Sequence, residues 1–275
     1  MKNTLSILVI TCDKYRDLWE NFFKLRDLYW PDCDFKWYLV TEGHPFDYPG
    51  VNVIHTGKKL NWTGRLRFAI EKIDSQYIGW FLDDFYISAK IDNGLIHELV
   101  AKMSSDNISH INMSDVFHSL IKMPEPHIYY DSHLFRIPSH KKYGISTASA
   151  IWNRDYLLDV LGTDDKNAWQ FEIDLCKQAM SEEGLKGLIL CDDRMPFQVT
   201  TTPVVIQGKY YPKAIKLFAK KGVRIDYSQR GLMSTKDVLI YDINSYIRTT
   251  LRNYPNISNA IKWLAQKVFR VKFFT

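Results

Sequence analysis

The chain has only four cysteines, Cys12, Cys33, Cys176 and Cys191, with no C-x-x-C pair and no Cys/His ligand spacing among them. A structural zinc site and a disulfide framework are therefore not the devices that organise this fold. Scattered thiols of this kind fit a reducing cytoplasm. No apolar run approaches the roughly 18 residues that a membrane-spanning helix needs. The short run within residues 1–10 is too brief for a secretory leader and reads as a first buried strand. Also missing after that strand is a G-x-G-x-x-G turn, which argues against a dinucleotide-dependent oxidoreductase. Thr11-Cys12-Asp13-Lys14 stands there instead, without the glycine-rich basic loop that nucleotidyl transfer to a sugar phosphate would need. There is no internal repeat and no low-complexity tract. Basic residues do not interleave with aromatics along one long face, so no nucleic-acid partner is expected.

What is present is an ordinary globular composition: 46% hydrophobic and 24% charged residues over 275 positions. Such a chain can bury a substantial core, as one large domain or one domain with an appended module. Residues 5–11 (LSILVIT) form an apolar, β-branched run and predict a buried strand. Helical spacing of Leu18, Trp19, Phe22, Phe23 and Leu25 follows, then strands at 35–40 and 51–54. A helix at 62–73 leads into a fourth strand at 77–82 (YIGWFL). This alternation predicts a mostly parallel α/β sheet. In such sheets ligands bind beyond the carboxyl ends of the strands, where Cys12-Asp13 and Asp83-Asp84 both fall. Further on, the pattern predicts helices at 91–103, 156–161, 169–180, 238–251 and 258–269. Strands are expected at 108–113, 147–152, 187–191 and 203–207, with a long irregular stretch over 117–143.

Formal net charge is +5. After Gly208 lysines crowd together at 209, 213, 216, 220 and 221. Residues 256–275 carry Lys262, Lys267, Arg270 and Lys272 among apolar and aromatic side chains, with no acidic residue. Such a segment either lies on an anionic membrane surface or docks as a terminal helix with its cations solvated. The chain divides on this reading into a main domain, 1–230, and a C-terminal helical basic segment, 231–275.

Two local clusters carry chemistry. Asp83-Asp84 follows a hydrophobic strand directly, and adjacent buried carboxylates are costly unless cations or donors compensate. A divalent ion bridging diphosphate oxygens would compensate them; one Asp as a helix cap and the other solvated is the plainer reading. Lys58, Lys59, Arg65 and Arg67 surround the expected start of the 62–73 helix. Cations there oppose the helix dipole, so an anion is expected beside them, and a helix N-terminus is a good phosphate site; a solvated basic face at a helix entry is the plainer reading.

The run Asn61-Trp62-Thr63-Gly64-Arg65-Leu66-Arg67-Phe68-Ala69-Ile70, with Tyr77-Ile78 and Leu82-Asp83-Asp84-Phe85, resembles bacterial glycosyltransferases of surface and capsular polysaccharide or O-antigen assembly. The resemblance spans roughly residues 4–210. It implies a GT-A fold, a Rossmann-like mixed sheet flanked by helices, with a C-terminal helical extension here. It also implies a nucleotide-sugar donor, with a UDP-sugar favoured, and a saccharide acceptor on a polyprenyl carrier at the inner face of the cell membrane. In that family a D-x-D-like motif holds the diphosphate through Mn²⁺ or Mg²⁺; Asp84 is the metal candidate, with Asp83 nearer the ribose or sugar and Arg65 near the donor. Phe85 occupies the third motif position, which puts the cation in question. Thr11, Cys12, Asp13 and Tyr15 would border the base, although Asp13 also suits a plain helix cap. Lys209 would neutralise the departing diphosphate or simply be solvated.

Ala168-Trp169-Gln170-Phe171-Glu172 is similar to the Trp-x-Phe-Glu segment that related transferases place beside the acceptor. Glu172 is then the base of an inverting hexosyl transfer, in which a carboxylate near an apolar wall takes the acceptor's proton; Asp174 is the reserve. Trp152 and Trp169 are the acceptor-stacking candidates. Glu172 as a first-turn helix residue and the tryptophans as core are the plainer readings. From a different class, a non-catalytic carbohydrate-binding or membrane-surface module also fits these residues. Asp192-Asp193-Arg194 reads as a surface turn or local ion pair.

Overall fold

The computed structural model describes residues 3–114, 116, 120–123 and 125–250. The basic stretch 256–275 and the helix expected at 258–269 lie outside the described residues. Two compact units are formed, Met1–Pro203 and Val204–Thr275.

The first unit is built on strands β1 (Asn3–Ile10), β2 (Lys36–Thr41), β3 (Val51–His55), β4 (Ser75–Leu82), β5 (His110–Asn112), β6 (Leu134–Arg136), β7 (Ala150–Asn153) and β8 (Ile189–Asp192). They make one eight-stranded sheet in the order β3-β2-β1-β4-β7-β5-β8-β6. β1, β2, β3 and β4 are mutually parallel, as are β5 and β8. β7 runs antiparallel to β4 and β5, and β6 antiparallel to β8. Interleaved are α1 (Arg16–Tyr29), α2 (Trp62–Glu71), α3 (Asn93–Ser105), α4 (Arg154–Leu161) and α5 (Ala168–Ala179). The fold is thus α/β, with a mixed, mostly parallel sheet flanked by helices.

The unbroken apolar runs of β1 and β4 follow from cover on both faces of the sheet. One face of the sheet joins Leu8, Ile10, Val40, Ile78, Trp80 and Trp152 to Leu66 and Ile70 of α2, Leu157 of α4 and Phe171 of α5. The alternate residues meet α1: Phe22 packs against Trp37 and Phe81, and Phe81 stacks on Phe197 at 4.6 Å. Each such fully buried side chain contributes roughly 1.5–3 kcal/mol.

Two expectations are revised here. The strand expected at 147–152 starts only at Ala150, because the backbone of Thr147 and Ala148 is engaged elsewhere, as described below. The irregular 117–143 stretch contains β6, which pairs with β8 and was hidden by its three-residue length.

The second unit opens with a hairpin, β9 (Val205–Ile206) and β10 (Lys209–Tyr210). Its two-residue turn, Gln207 and Gly208, has φ of 51° and 78°, the left-handed pair that matches hairpin twist. Then come α6 (Pro212–Lys220) and α7 (Thr235–Thr250). Tyr211 and Lys213 both bond the Asp242 carboxylate, at 2.5 and 2.7 Å, and Tyr210 bridges to Leu232. Those contacts attach residues 204–230 to α7, so the chain divides after Pro203 and not at 230/231. Among the described residues no helix is long and apolar enough to cross a membrane.

Candidate active site

From β1 the chain winds outward through β2 to β3, then returns to place β4 on the other side of β1. The carboxyl ends of β1 and β4 therefore flank a topological switch point, where open α/β sheets leave a crevice. Ile10 pairs with Leu82, so the next residues, Thr11 and Asp83, leave the sheet side by side. Thr11 Oγ1 donates to Asp83 Oδ2 and accepts from Trp19 Nε1 at 2.8 Å. Arg65 reaches the same point from α2: NH1 donates to the Thr11 carbonyl at 3.0 Å and lies 3.5 Å from Glu42 at the end of β2. The Arg65 side chain is only 12% exposed, and its Nε has no hydrogen-bond partner among the described residues. The Asp83 carboxylate after β4 and a cation from α2 thus meet through Thr11, within two hydrogen bonds of each other.

Asp84 carries the largest electrostatic strain here. Burial pushes its carboxyl up to about 6, opposed only by its own backbone N–H. No helix follows for either Asp to cap: Phe85 N–H closes a turn on Leu82 O at 3.2 Å, and α3 begins only at Asn93, capped by Asp92. Burial, and next the charge of Asp83, also pushes the Cys12 thiol up, so Cys12 borders the crevice as a neutral thiol. Asp13 has another occupation. Its oxygens accept from the backbone N–H groups of Glu42, Gly43 and His44 at 3.1–3.2 Å. Against desolvation, the bonds from His44, Gly43 and Glu42 hold this carboxyl below its usual range. Asp13 therefore fixes the loop after β2 and shapes a wall, with its lone pairs committed. Tyr15 lies in the adjoining 3₁₀ turn, half-buried.

The expected phosphate site at the start of α2 is overturned. The anion there is the protein's own Asp165, whose carboxylate accepts from the backbone N–H groups of Asn61 at 2.9 Å and Gly64 at 3.1 Å. Thr63 N–H goes to Lys166 O, and Arg67 turns away to the carbonyls of Thr163 and Asp164. Lys58 and Lys59 are exposed on the preceding loop. Of the four cations only Arg65 enters the crevice. Gly64 is required for this clamp, since a Cβ there would sit 2.5 Å from Asp165 Oδ1. Asp165→Ala should lower stability by about 1–2 kcal/mol in urea unfolding, the usual worth of a helix cap. An unchanged midpoint and slope would refute that role.

Glu172 approaches the same sheet end. β7 pairs antiparallel with β4, with Tyr77 opposite Asn153 and Gly79 opposite Ile151. That register carries residues 147–148 to the carboxyl end of β4, where Trp80 Nε1 donates to Ala148 O at 2.8 Å. Glu172 Oε1 accepts from both the N–H and the hydroxyl of Thr147 at 2.8 Å. No donor among the described residues reaches Oε2. Asn167, not Glu172, caps α5. Trp169, one turn earlier, is 73% exposed. Two candidates stand elsewhere. Trp152 is fully buried against Trp80 and has no surface to offer a sugar ring. Asp174, two residues on from Glu172 and so turned about 200° around the helix, pairs with Lys166 at 3.0 Å and Lys177 at 3.4 Å; the Lys166 bond leads in pulling its carboxyl low, the wrong direction for a base. Lys209 is exposed on β10 of the second unit.

Sequence reasoning missed Glu42, Thr147 and Asp165. Only Glu42 had a visible signal, a carboxylate directly after a strand. Asp192 and Arg194 form the local ion pair expected of them, with bonds of 2.9 and 2.6 Å. No group of three or more His, Cys, Asp or Glu among the described residues could hold a metal by itself. The donor set nonetheless suits a hard cation completed by ligand phosphates: such ions need only one or two carboxylates when phosphate oxygens fill the remaining positions.

No family model and no curated protein matches the chain. Solved structures do. Over 98% of this chain and 76% of the other, it is similar to a mannosyltransferase of Pyrobaculum calidifontis in complex with GDP-Man and Mn²⁺, at 11% identity and TM-score 0.45. Staphylococcus aureus TarS 1–349 aligns with 91% of this chain and 73% of its own length, at 12% identity and TM-score 0.41. The bifunctional IspDF of Campylobacter jejuni aligns with 70% of this chain, at 14% identity and TM-score 0.38, and the match spans about half (49%) of that protein. At TM-scores below 0.5 these likenesses carry no inference about the chemistry of this chain.

Proposed function

We propose that this protein is a glycosyltransferase of the GT-A type that moves a hexose from a nucleotide-diphosphate donor, a UDP-sugar in the favoured case, to a saccharide acceptor. The observation that carries the reading is the meeting of Thr11, Asp83 and Arg65 at the switch point, beside an Asp84 left without a compensating charge. The diphosphate would lie across the ends of β1 and β4. Arg65 has unused donors for it, and a planar guanidinium suits its oxygens. Thr11, Cys12 and Tyr15 would border the nucleoside, with the loop held by Asp13 behind it. Asp84 would hold a divalent cation, Mn²⁺ or Mg²⁺, which when bound supplies charge to the departing diphosphate.

Transfer with inversion needs one base. The acceptor oxygen attacks the anomeric carbon, its proton passes to Glu172 Oε2, and the bonding pair leaves with the diphosphate oxygen. Thr147 fixes Oε1, so the free oxygen is presented in one orientation. Trp169 offers an exposed aromatic face for an acceptor ring. An acceptor on a polyprenyl carrier, in bacterial surface polysaccharide assembly at the cytoplasmic side of the membrane, completes the proposal.

A panel of UDP- and GDP-sugars, incubated with the full chain and oligosaccharides with and without chelator, tests it. Release of nucleoside diphosphate with sugar transfer is expected, suppressed by chelator. Arg65→Ala should reduce kcat/KM about tenfold to a hundredfold, and Arg65→Lys should recover only part of it. Tight saccharide binding with no diphosphate release from any donor would identify a binding module instead.

A further inference from the structure

The two units differ sharply in charge. Residues 1–203 hold 22 basic and 28 acidic side chains, a formal net of −6, whereas 204–275 hold 14 basic and three acidic, a net of +11. Within the described part, 204–231 alone carry seven basic residues and one acid, Asp226. The structure shows how these are displayed. In α6 the inward positions are Ala214 and Phe218, both buried, with Ile215 beside them. Lys213, Lys216, Leu217 and Lys220 recur at the i, i+3, i+4, i+7 spacing of a single helix face, and all four are exposed. There is no acidic residue anywhere in α6. Asp242 of α7 neutralises Lys213 at 2.7 Å, which leaves Lys216 and Lys220 as the outer cations of the stripe. Lys221 and Arg224 are exposed just beyond the helix end. An apolar group stands among these charges: Leu217 is 38% exposed, and Tyr227, farther along the chain, is 39% exposed.

We infer that the α6 face of the second unit docks on an anionic phospholipid surface. Lysines at this density meet the negative potential of such a surface, each worth about fivefold in affinity near the headgroups. Leu217, within the stripe, is an aliphatic side chain of the kind that settles between headgroups. The face offers one aliphatic side chain within a cationic stripe, and no row of aromatics on which bases could stack, so lipid fits it better than nucleic acid. This inference stands independently of the sugar-transfer reading, because it uses no residue of the crevice.

Vesicle co-sedimentation of the full chain tests it, with phosphatidylcholine alone against phosphatidylcholine containing about 30% phosphatidylglycerol. Binding to the anionic vesicles should exceed binding to neutral ones at least about tenfold and fall as salt is raised. Lys216→Glu with Lys220→Glu should remove about tenfold or more of that binding. Leu217→Ala should weaken it further at high salt, where the apolar term remains. Circular dichroism and thermal melting verify that the variants are folded; should the double variant not fold, Lys216→Gln with Lys220→Gln replaces it, with a smaller loss in the same direction. Undiminished vesicle binding in folded charge variants would overturn the assignment and move any lipid contact elsewhere in the chain. Equal binding to neutral vesicles, or preferential capture by an RNA homopolymer in competition with the vesicles, would overturn it too.

Discussion

Asp84→Asn should abolish sugar transfer, lowering kcat/KM about a thousandfold or more, while leaving the protein at least as stable at pH 7.5 as the parent. The two halves of this expectation share one cause. Asp84 is desolvated, and its carboxyl sits at about 6 instead of the ordinary 3.8. A carboxyl raised in the folded state holds its proton more tightly there than in the unfolded chain. The folded state is therefore favoured below about pH 4, and that advantage is lost as pH rises through 6. The amide variant lacks this dependence, so urea unfolding across pH 4–8 should show a gentler decline for Asp84→Asn. Catalysis runs the opposite way. Only the ionised group can hold a cation against the diphosphate, so parent kcat/KM should climb through an acid limb near 6. Retention of near-parental turnover in Asp84→Asn would remove both the cation and the diphosphate from this position.

Glu172→Gln should lower kcat by about a hundredfold to ten-thousandfold, the usual contribution of a positioned base, with the donor KM little changed. Glutamine is the informative substitution because its amide oxygen can still accept both bonds from Thr147. Position is preserved and only proton acceptance is lost. Asp174→Asn is the internal comparison: already committed to Lys166 and Lys177, it should alter turnover less than about twofold. A variant of Glu172 that loses donor affinity but keeps kcat would reassign the residue to binding. A large loss in Asp174→Asn with none in Glu172→Gln would exchange their roles.

Much of the sheet was legible in the chain because its central strands are buried on both faces. Residues of β1 and β4 needed no partner to declare themselves; five apolar side chains of β1 are 2% exposed or less. Asp83-Asp84 was legible for the same reason, as charge placed abruptly after such a run. Pairings remote in sequence were not. Asp165 and Asn61 are 104 positions apart, and nothing local in the Asp164-Asp165-Lys166 turn announces that it serves another helix. The cations near the start of α2 drew attention to an anion, but the anion at that helix end is the protein's own Asp165, which bonds backbone N–H groups and none of those cations. Trp152 failed differently. Period-2 alternation says which face of a strand a side chain takes, but both faces here are covered, so exposure was undecidable from pattern. For α6 the signals were present in Pro212 at the first turn and Ala214 and Phe218 one turn apart, but the density of lysine obscured them.

The Asp165 clamp joins more than a loop to a helix end. On one side it holds α2, which carries Arg65; on the other, the 163–166 segment runs directly into α5, which carries Trp169 and Glu172, and Phe171 packs on Trp62 at 5.3 Å. The two helices form a single structural cassette. Exchange of one alone between related proteins should yield a misfitted hybrid, whereas transplanting 61–71 together with 163–179 should carry a working pair. Diversification of what is given and of what receives it would then be coupled, with sequence drift in either helix constrained by the other.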